Sequence, residues 1–437
     1  MTVRKLGGFA AACLLVSAIA GQPVQASSPF ITFAEFLADT ERSSYATAVA
    51  AGRAGAVRDS AAYAQMRGHI LEMYQGVQAK HSYHTGEDYF DCVLTSTQPS
   101  VRGHGIKEIA TPPPPATIEH KESTDTVGAP SMLTLGGKDA YGNAIACPDG
   151  TIPMRRITLE RLSGFPTLKA FFAKGPRGDL GQAPPAEGEK SIDHNLVRHY
   201  AYGHQRVANH GGHSALGLYN PAGEFSISQQ WYITESAVGM QTAEGGWIRY
   251  PQYFGSRSVT FVYFTADDYA TTGCYNLDCV GFVQINRNWA LGGPWATYST
   301  PGGAQYEFFM QWYYYQGNWW MYLKGAGAME AVGYYPASVY RGGPMAYAAQ
   351  RADFGGEVAP IGPSWPAMGS GYHAGHGWPW AAFQRLAYYS QPGGATVWSS
   401  LSPIQTYWPY WSIAYTHASA GAHWGTYFYF GGPGGPF

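Results

Sequence analysis

Five segments between residues 224 and 323 constrain this chain most: EFSISQQWYI (224–233), SVTFVYFTA (258–266), VGFVQIN (280–286), QYEFFMQWYYY (305–315) and NWWMYL (318–323). They are short and rich in aromatic and β-branched residues, and several alternate polar with apolar side chains, the pattern of strands with two unlike faces. Turn residues (GGPW, STPGG, QGN) separate them, with no helical stretch between. QGN at 316–318 reads as a hairpin turn between two aromatic strands. Closely spaced strands without intervening helices predict an all-β, antiparallel sandwich or barrel. With 56 glycines, 15% aromatic and 45% apolar residues, the chain has the turns and the core for one. Its length, 437 residues, allows two domains or one large domain with appendages. Charged residues are only 13% and the formal net charge is −2, so nothing suggests a phosphate-binding surface, and nucleic acid is not an expected partner.

The N-terminus has a different character. Arg4 and Lys5 precede an apolar run from Leu6 to Ala20, and Val24-Gln25-Ala26 is a small-residue cleavage signal. Residues 1–26 therefore read as a secretory signal peptide. No later run is long enough to span a bilayer, so the expected product carries no membrane anchor and is secreted, to the periplasm or the cell exterior. Four cysteines follow the signal. In an oxidising compartment an even count suggests bridges; Cys274 and Cys279 would close a small loop, leaving Cys92 with Cys147 by default.

Residues 30–80 are Ala-rich with helix-like spacing of Phe33, Phe36, Leu37 and of Ile70, Leu71, Met73, which predicts two helices. PPPPAT (112–117) reads as a linker, and CPDGTIPMRRITLERL (147–162) as turn, strand and short helix. The stretch AKGPRGDLGQAPPAEGEK (173–190) is rich in Gly, Pro and charge and is the best candidate for a protease-accessible boundary.

The chain lacks a G-x-S-x-G elbow and an H-E-x-x-H helix. HGGH (210–213) and HAGH (373–376) sit in Gly-rich stretches without a third ligand nearby, so they read as loop histidines, and neither metal nor cofactor is expected. Carboxylates remain. Asp267 and Asp268 read as turn or cap residues, and Glu307 as facing solvent or a cross-strand partner. Glu244 (AEGGW) and Glu357 (DFGGEV) differ: each is a single Glu beside two glycines and close to an aromatic. Glycines let a backbone approach a ligand, and a neighbouring indole such as Trp247 removes water, so that a carboxyl holds its proton more tightly.

Several motifs resemble the neprosin family of glutamic peptidases: DCVLTSTQPS (91–100), CPDGTIPMRR (147–156), HYAYGHQRVANHGGHSALGLYNP (199–221), AEGGW (243–247), ATTGCYNLDCVGFVQIN (270–286), GNWWMYL (317–323), VGYYP (332–336), FGGEV (354–358) and MGSGY (368–372). The likeness runs from roughly 90 to 390. It implies a secreted zymogen, with a propeptide over 27–185 acting as inhibitor and a β-sandwich peptidase domain over 186–437. Its catalytic glutamates fall on Glu244 and Glu357. Where the family often has S-I-E-A-G-W, this chain has T-A-E-G-G-W. The helical stretch 30–80 and the last forty residues fit the pattern poorly, and the tail from about 395 reads as an extension.

Two carboxylates can hydrolyse a peptide if one is ionised and the other protonated: one takes a proton from water, the other serves the carbonyl or the departing amine. Such a pair titrates as a unit, and its working range is expected to be acidic. Gln229 or Gln230 could donate to the oxyanion, and strand alternation allows only one of them on the inner face, with Gln229 favoured. Trp247 and Tyr253 are expected to line the cleft, and the resemblance implies protein or peptide substrates cut after proline. Two other readings fit two carboxylates or aromatic runs: a glycosidase, and a carbohydrate- or surface-binding sandwich carrying NWWMY and YWPYWS.

Overall fold

The structure, a computed structural model, describes residues 1–2, 29–114, 127–128, 136–175, 198–237, 239–360, 364–416 and 424–436. Residues 3–26 of the expected signal peptide and 176–190 of the 173–190 break lie outside the described residues.

The N-terminal region begins with helices α1 (Phe33–Arg42), α2 (Tyr45–Ala50) and α3 (Ser60–Tyr74), three where two were expected. The reason lies in the caps. Thr32 and Glu35 form a capping box on α1, and Ser44 with Thr47 forms a second, which starts a new helix where the spacing alone reads as continuous. Asp59 caps α3 through the Ala62 amide, and α3 buries Tyr63, Met66, Ile70, Met73 and Tyr74 along one face. Three strands follow, β1 (Ala79–Thr85), β2 (Asp88–Leu94) and β3 (Thr151–Arg155), in one antiparallel sheet. Short helices α4 (Pro99–Gly103), α5 (Leu159–Leu162) and α6 (Leu168–Phe172) complete the region. Inside it Arg156 grips the fully buried Asp91 with both ends of its guanidinium, at 2.9 and 2.6 Å, and Cys92 is bonded to Cys147.

The remainder is a sandwich. Its strands run β4 (His199–Asn209), β5 (Gly211–Gly217), β6 (Ser226–Ser236), β7 (Gly239–Arg249), β8 (Val259–Thr265), β9 (Val283–Gln284) and β10 (Glu307–Tyr315). They continue as β11 (Asn318–Lys324), β12 (Glu330–Pro336), β13 (Ala349–Val358), β14 (Ser364–Trp365), β15 (Ala382–Ser390), β16 (Thr396–Trp398), β17 (Ser402–Gln405), β18 (Ser412–Thr416), β19 (Tyr427–Gly431) and β20 (Gly435–Pro436). One sheet has the order β17-β4-β13-β6-β7-β8; the other is β18-β19-β15-β5-β10-β11-β12-β9, with β16 on β15. All named pairings in them are antiparallel, and neither sheet closes into a barrel. The β10–β11 hairpin turns at Gln316 and Gly317, both with positive φ, as a two-residue hairpin loop requires. The tail supplies strands to both sheets: β17 edges the first, and β18 and β19 extend the second.

Buried polar groups tie the two layers together. Gln230 donates to the Ser214 hydroxyl (2.8 Å) and the Met310 carbonyl (3.0 Å), and Gln384 donates back to the Ser228 hydroxyl and the Gln229 carbonyl. Such groups cost free energy when buried unless paired, and here they are. Glu307, expected near solvent or a cross-strand partner, is buried against Arg385 in a two-pronged ion pair. The NWWMY aromatics are not a surface: Trp319 and Trp320 are fully buried. In YWPYWS, Trp411 is buried and Trp408 is exposed.

Candidate active site

Period two decides which side chains meet. On β7, Thr242 and Glu244 point out of the sandwich while Ala243, Gly245 and Trp247 point in, and on β6 Gln229 points outward while Gln230 points inward. Trp247 accordingly donates its indole N–H to the Gly217 carbonyl of the opposite sheet at 2.8 Å. It lies on the far face from Glu244 and does not line a cleft, contrary to expectation. The aromatic beside Glu244 is Trp231, its direct register partner on β6. The glycines also serve a different purpose from the one expected. A Cβ on Gly356 would sit 2.6 Å from the Phe430 ring and 2.7 Å from the Met368 sulfur, so this glycine lets the two sheets close.

Glu244 and Glu357, on β7 and β13 with β6 between, converge on one atom. The Nζ of Lys174 lies 2.5 Å from Oε2 of Glu244 and 3.0 Å from Oε2 of Glu357. All three side chains are buried, at 4%, 0% and 1% exposure. The other oxygen of each carboxylate has separate partners. On Glu244, Oε1 accepts from the Thr242 hydroxyl (2.7 Å) and the Tyr269 phenol (2.7 Å). On Glu357, Oε1 is held by Arg198, and Oε2 accepts from Gln229 Nε2 at 2.9 Å. Gln229, favoured from sequence but expected on the inner face, reaches a glutamate carboxylate from the outer face, and Gln230 takes the inner one. Tyr253 does not touch either glutamate; its hydroxyl donates to Asp278 and its ring stacks on Phe171 of the N-terminal region, centroids 4.6 Å apart. Cys274 and Cys279 are bonded and frame that Asp278.

The electrostatics follow from burial and charge. Burial alone raises the proton affinity of Glu357, but Lys174 and Arg198 overcome it and hold the carboxyl below its ordinary range. Burial, reinforced by the Glu244 charge, pushes the Tyr269 phenol far up, so it stays a donor.

Sequence reasoning missed Lys174, Arg198, Thr242 and Tyr269. Lys174 lies two residues beyond the end of α6, at the start of the Gly- and Pro-rich stretch 173–190. Tyr269 sits in a turn whose conformation is itself a signal: Asp268 and Tyr269 both have positive φ, an uncommon backbone for residues with a Cβ. The turn is braced by Asp267, which accepts from the Thr271 and Thr272 amides and from both hydroxyls, while the Thr265 hydroxyl accepts from the Tyr269 amide at 2.7 Å. Replacing Asp267 by Ala removes charge-assisted bonds, each of about 1.5–3 kcal/mol. We expect it to lower thermal stability and to cut activity by about tenfold by freeing Tyr269, measured by thermal unfolding and by steady-state kinetics.

Comparison with known proteins concerns the second half of the chain. Residues 222–433 match the Neprosin family model, a span that includes both glutamates, Gln229, Thr242 and Tyr269. These residues form a neprosin domain. A neprosin domain is a peptidase domain. Among solved structures, a scytalido-glutamic peptidase with a peptide-based transition state analog is similar over 54% of this chain and 98% of that chain, with 8% identity and a TM-score of 0.28. Lys174 and Arg198 lie outside the neprosin match, on the N-terminal side.

Proposed function

We propose that this chain is the precursor of a secreted, acid-active glutamic endopeptidase in which Glu244 and Glu357 are the catalytic pair and Lys174 is the residue that silences them. The observation that carries this reading is the single Lys174 nitrogen held by both carboxylates. Carboxylates that share a buried lysine cannot receive a water or a substrate carbonyl at that point. The ammonium stands where the reacting groups would be.

Lys174 ends the N-terminal region, and Arg198 begins the sandwich strand β4, so the boundary predicted near 174–190 falls between an inhibiting residue and the enzyme proper. Residues 27–185 then act as propeptide and 186–437 as the peptidase domain, with the segment from about 395 as an extension that completes both sheets. Phe171 against Tyr253, and the Tyr263 hydroxyl donating to the Phe172 carbonyl at 2.9 Å, dock α6 beside the groove. Export through the N-terminal signal and two disulfides agree with a life outside the reducing cytoplasm. The preference for cutting after proline rests on the family resemblance; aromatic rings such as Trp231 and Tyr263 in the groove are suitable surfaces for a proline ring.

The test is acid conversion followed by N-terminal sequencing. Held near neutral pH, the full chain stays intact and inactive; at about pH 4, where carboxylates begin to protonate, it is cut between 174 and 190 and then digests a protein substrate. Products sequenced from that digest report the residue before the cut. An intact chain with full activity would overturn the precursor reading, and hydrolysis of glycans in place of peptides would overturn the peptidase one.

A further inference from the structure

Residues 358–437 contain a single Lys, Arg, Asp or Glu, Arg385, and that one is buried against Glu307. The same stretch is where tryptophan comes to the surface. Trp378 and Trp380 are 41% and 42% exposed and Trp408 is 66% exposed, while every other described tryptophan is buried or half-buried. An indole left in water forgoes the burial of a large apolar ring, so three of them on one uncharged surface mark a place of contact.

The three rings belong to one patch, built from the β14–β15 and β17–β18 connections. The Trp380 and Tyr372 rings lie 5.3 Å apart between centroids, and the next residue, His373, lies 6.1 Å from Trp408. Trp378, two positions from Trp380, meets Phe383 and Trp424 edge-on, at 5.5 and 5.3 Å. Gly302 lets the Trp380 ring close on a neighbouring turn: a Cβ there would come within 2.5 Å of the ring, and the Gly302 amide donates to the Pro379 carbonyl at 3.2 Å. The indoles are therefore exposed yet braced, and a partner that stacks on them does so at little cost in side-chain entropy. The patch is also apart from Glu244 and Glu357, which stand on β7 and β13 of the first sheet.

We propose that this patch binds a neutral polysaccharide and holds the protein on it. Sugar rings offer flat C–H faces that stack on indoles, and hydroxyls that suit uncharged polar neighbours such as Tyr372 and His376. The lack of charge selects among partners. An anionic glycan or an anionic membrane is held by clustered Lys and Arg, and a protein partner is met with arginine anchors and complementary charge. Residues 358–437 offer neither. Binding of this kind does not involve the glutamates, so it is separable from the peptidase reading. Together the two would keep a protease beside proteins embedded in a glycan matrix.

The experiment mixes the full chain with insoluble cellulose, chitin or mannan at about pH 8, where the imidazoles beside the rings are neutral, and reads the protein depleted from solution. Depletion by at least one of these glycans is expected, and it should hold between about 50 and 500 mM salt because no ion pair is there to be screened. Trp408→Ala removes the most exposed ring and is expected to weaken binding about tenfold or more. The double variant Trp378→Ala with Trp380→Ala is expected to do the same, and Glu244→Gln to bind as wild type does. Depletion by none of the three glycans overturns the proposal. So does capture on phosphatidylcholine vesicles or on a proline-rich peptide resin that equals capture on any glycan, and so does undiminished binding by Trp408→Ala. If the double variant does not fold, Trp408→Ala decides alone. A chain that binds glycan but cuts no peptide supports the patch and removes the peptidase reading.

Discussion

Glutamine at position 244 or 357 is expected to slow peptide cleavage by about 10³-fold or more, within the range for losing a general acid or base, while the chain remains folded. Glutamine has nearly the volume of glutamate, so packing survives. What it lacks is the exchangeable proton of the acid and the charge of the base. Because the two groups act on one water and one carbonyl, the double variant is expected to be scarcely worse than either single one, as for residues that work as a unit. The folded state is not untouched. Glu357→Gln leaves Arg198 and Lys174 buried with one carboxylate between them, so its precursor is expected to melt below wild type, whereas Glu244→Gln leaves Glu357 to serve both cations. Activity assays on acid-converted protein, read with thermal unfolding of the precursor, check both statements.

The second large effect is at Lys174. Breaking a buried ion pair by removing one partner costs about 3–5 kcal/mol, and here one lysine serves two carboxylates. Lys174→Met is therefore expected to weaken docking of the α6 segment by a factor of about 10² to 4 × 10³, at about 1.4 kcal/mol per tenfold. The pH dependence has a definite sign. The Glu357 carboxyl is held below its ordinary range in the folded precursor, so the ion pair contributes fully above the ordinary carboxylate range and is lost as pH falls through the depressed value. Wild type is thus latched near neutrality and released by acid. The methionine variant lacks that dependence and is expected to convert, and to cut substrate, at a pH where wild type stays intact. Conversion rates on gels across pH, for both proteins side by side, give the answer. A variant that converts at the same pH as wild type would show that the lysine does not hold the latch.

How much of this could be read in the sequence depended on the range of the interaction. Strands β6, β8, β10 and β11 follow from local alternation, and the pairing of Gln316 with Gly317 from turn chemistry. Glu244 and Glu357 stood out because few other acids in the second half lacked a simple turn or cap reading. The misplacement of Trp247 has a local cause: in AEGGW the indole lies only three positions from the acid, and closeness in sequence was read as closeness in space. The segment is in fact mid-strand, and three residues along a strand reverse the face. The partners of the glutamates were illegible for another reason. Lys174 meets Glu244 across 70 positions of sequence, and Arg198 meets Glu357 across 159, so no local pattern links them. Tyr269 was hidden because a turn with two left-handed residues carries no Asn or Gly to announce it.

The two disulfides have a bearing on how the enzyme could be released. Cys92–Cys147 lies wholly before residue 174 and Cys274–Cys279 wholly after residue 190. A single cut between those positions leaves two fragments with no covalent thread between them. Acid would be sufficient to free one from the other, and the sulfur chemistry of the surroundings need play no part.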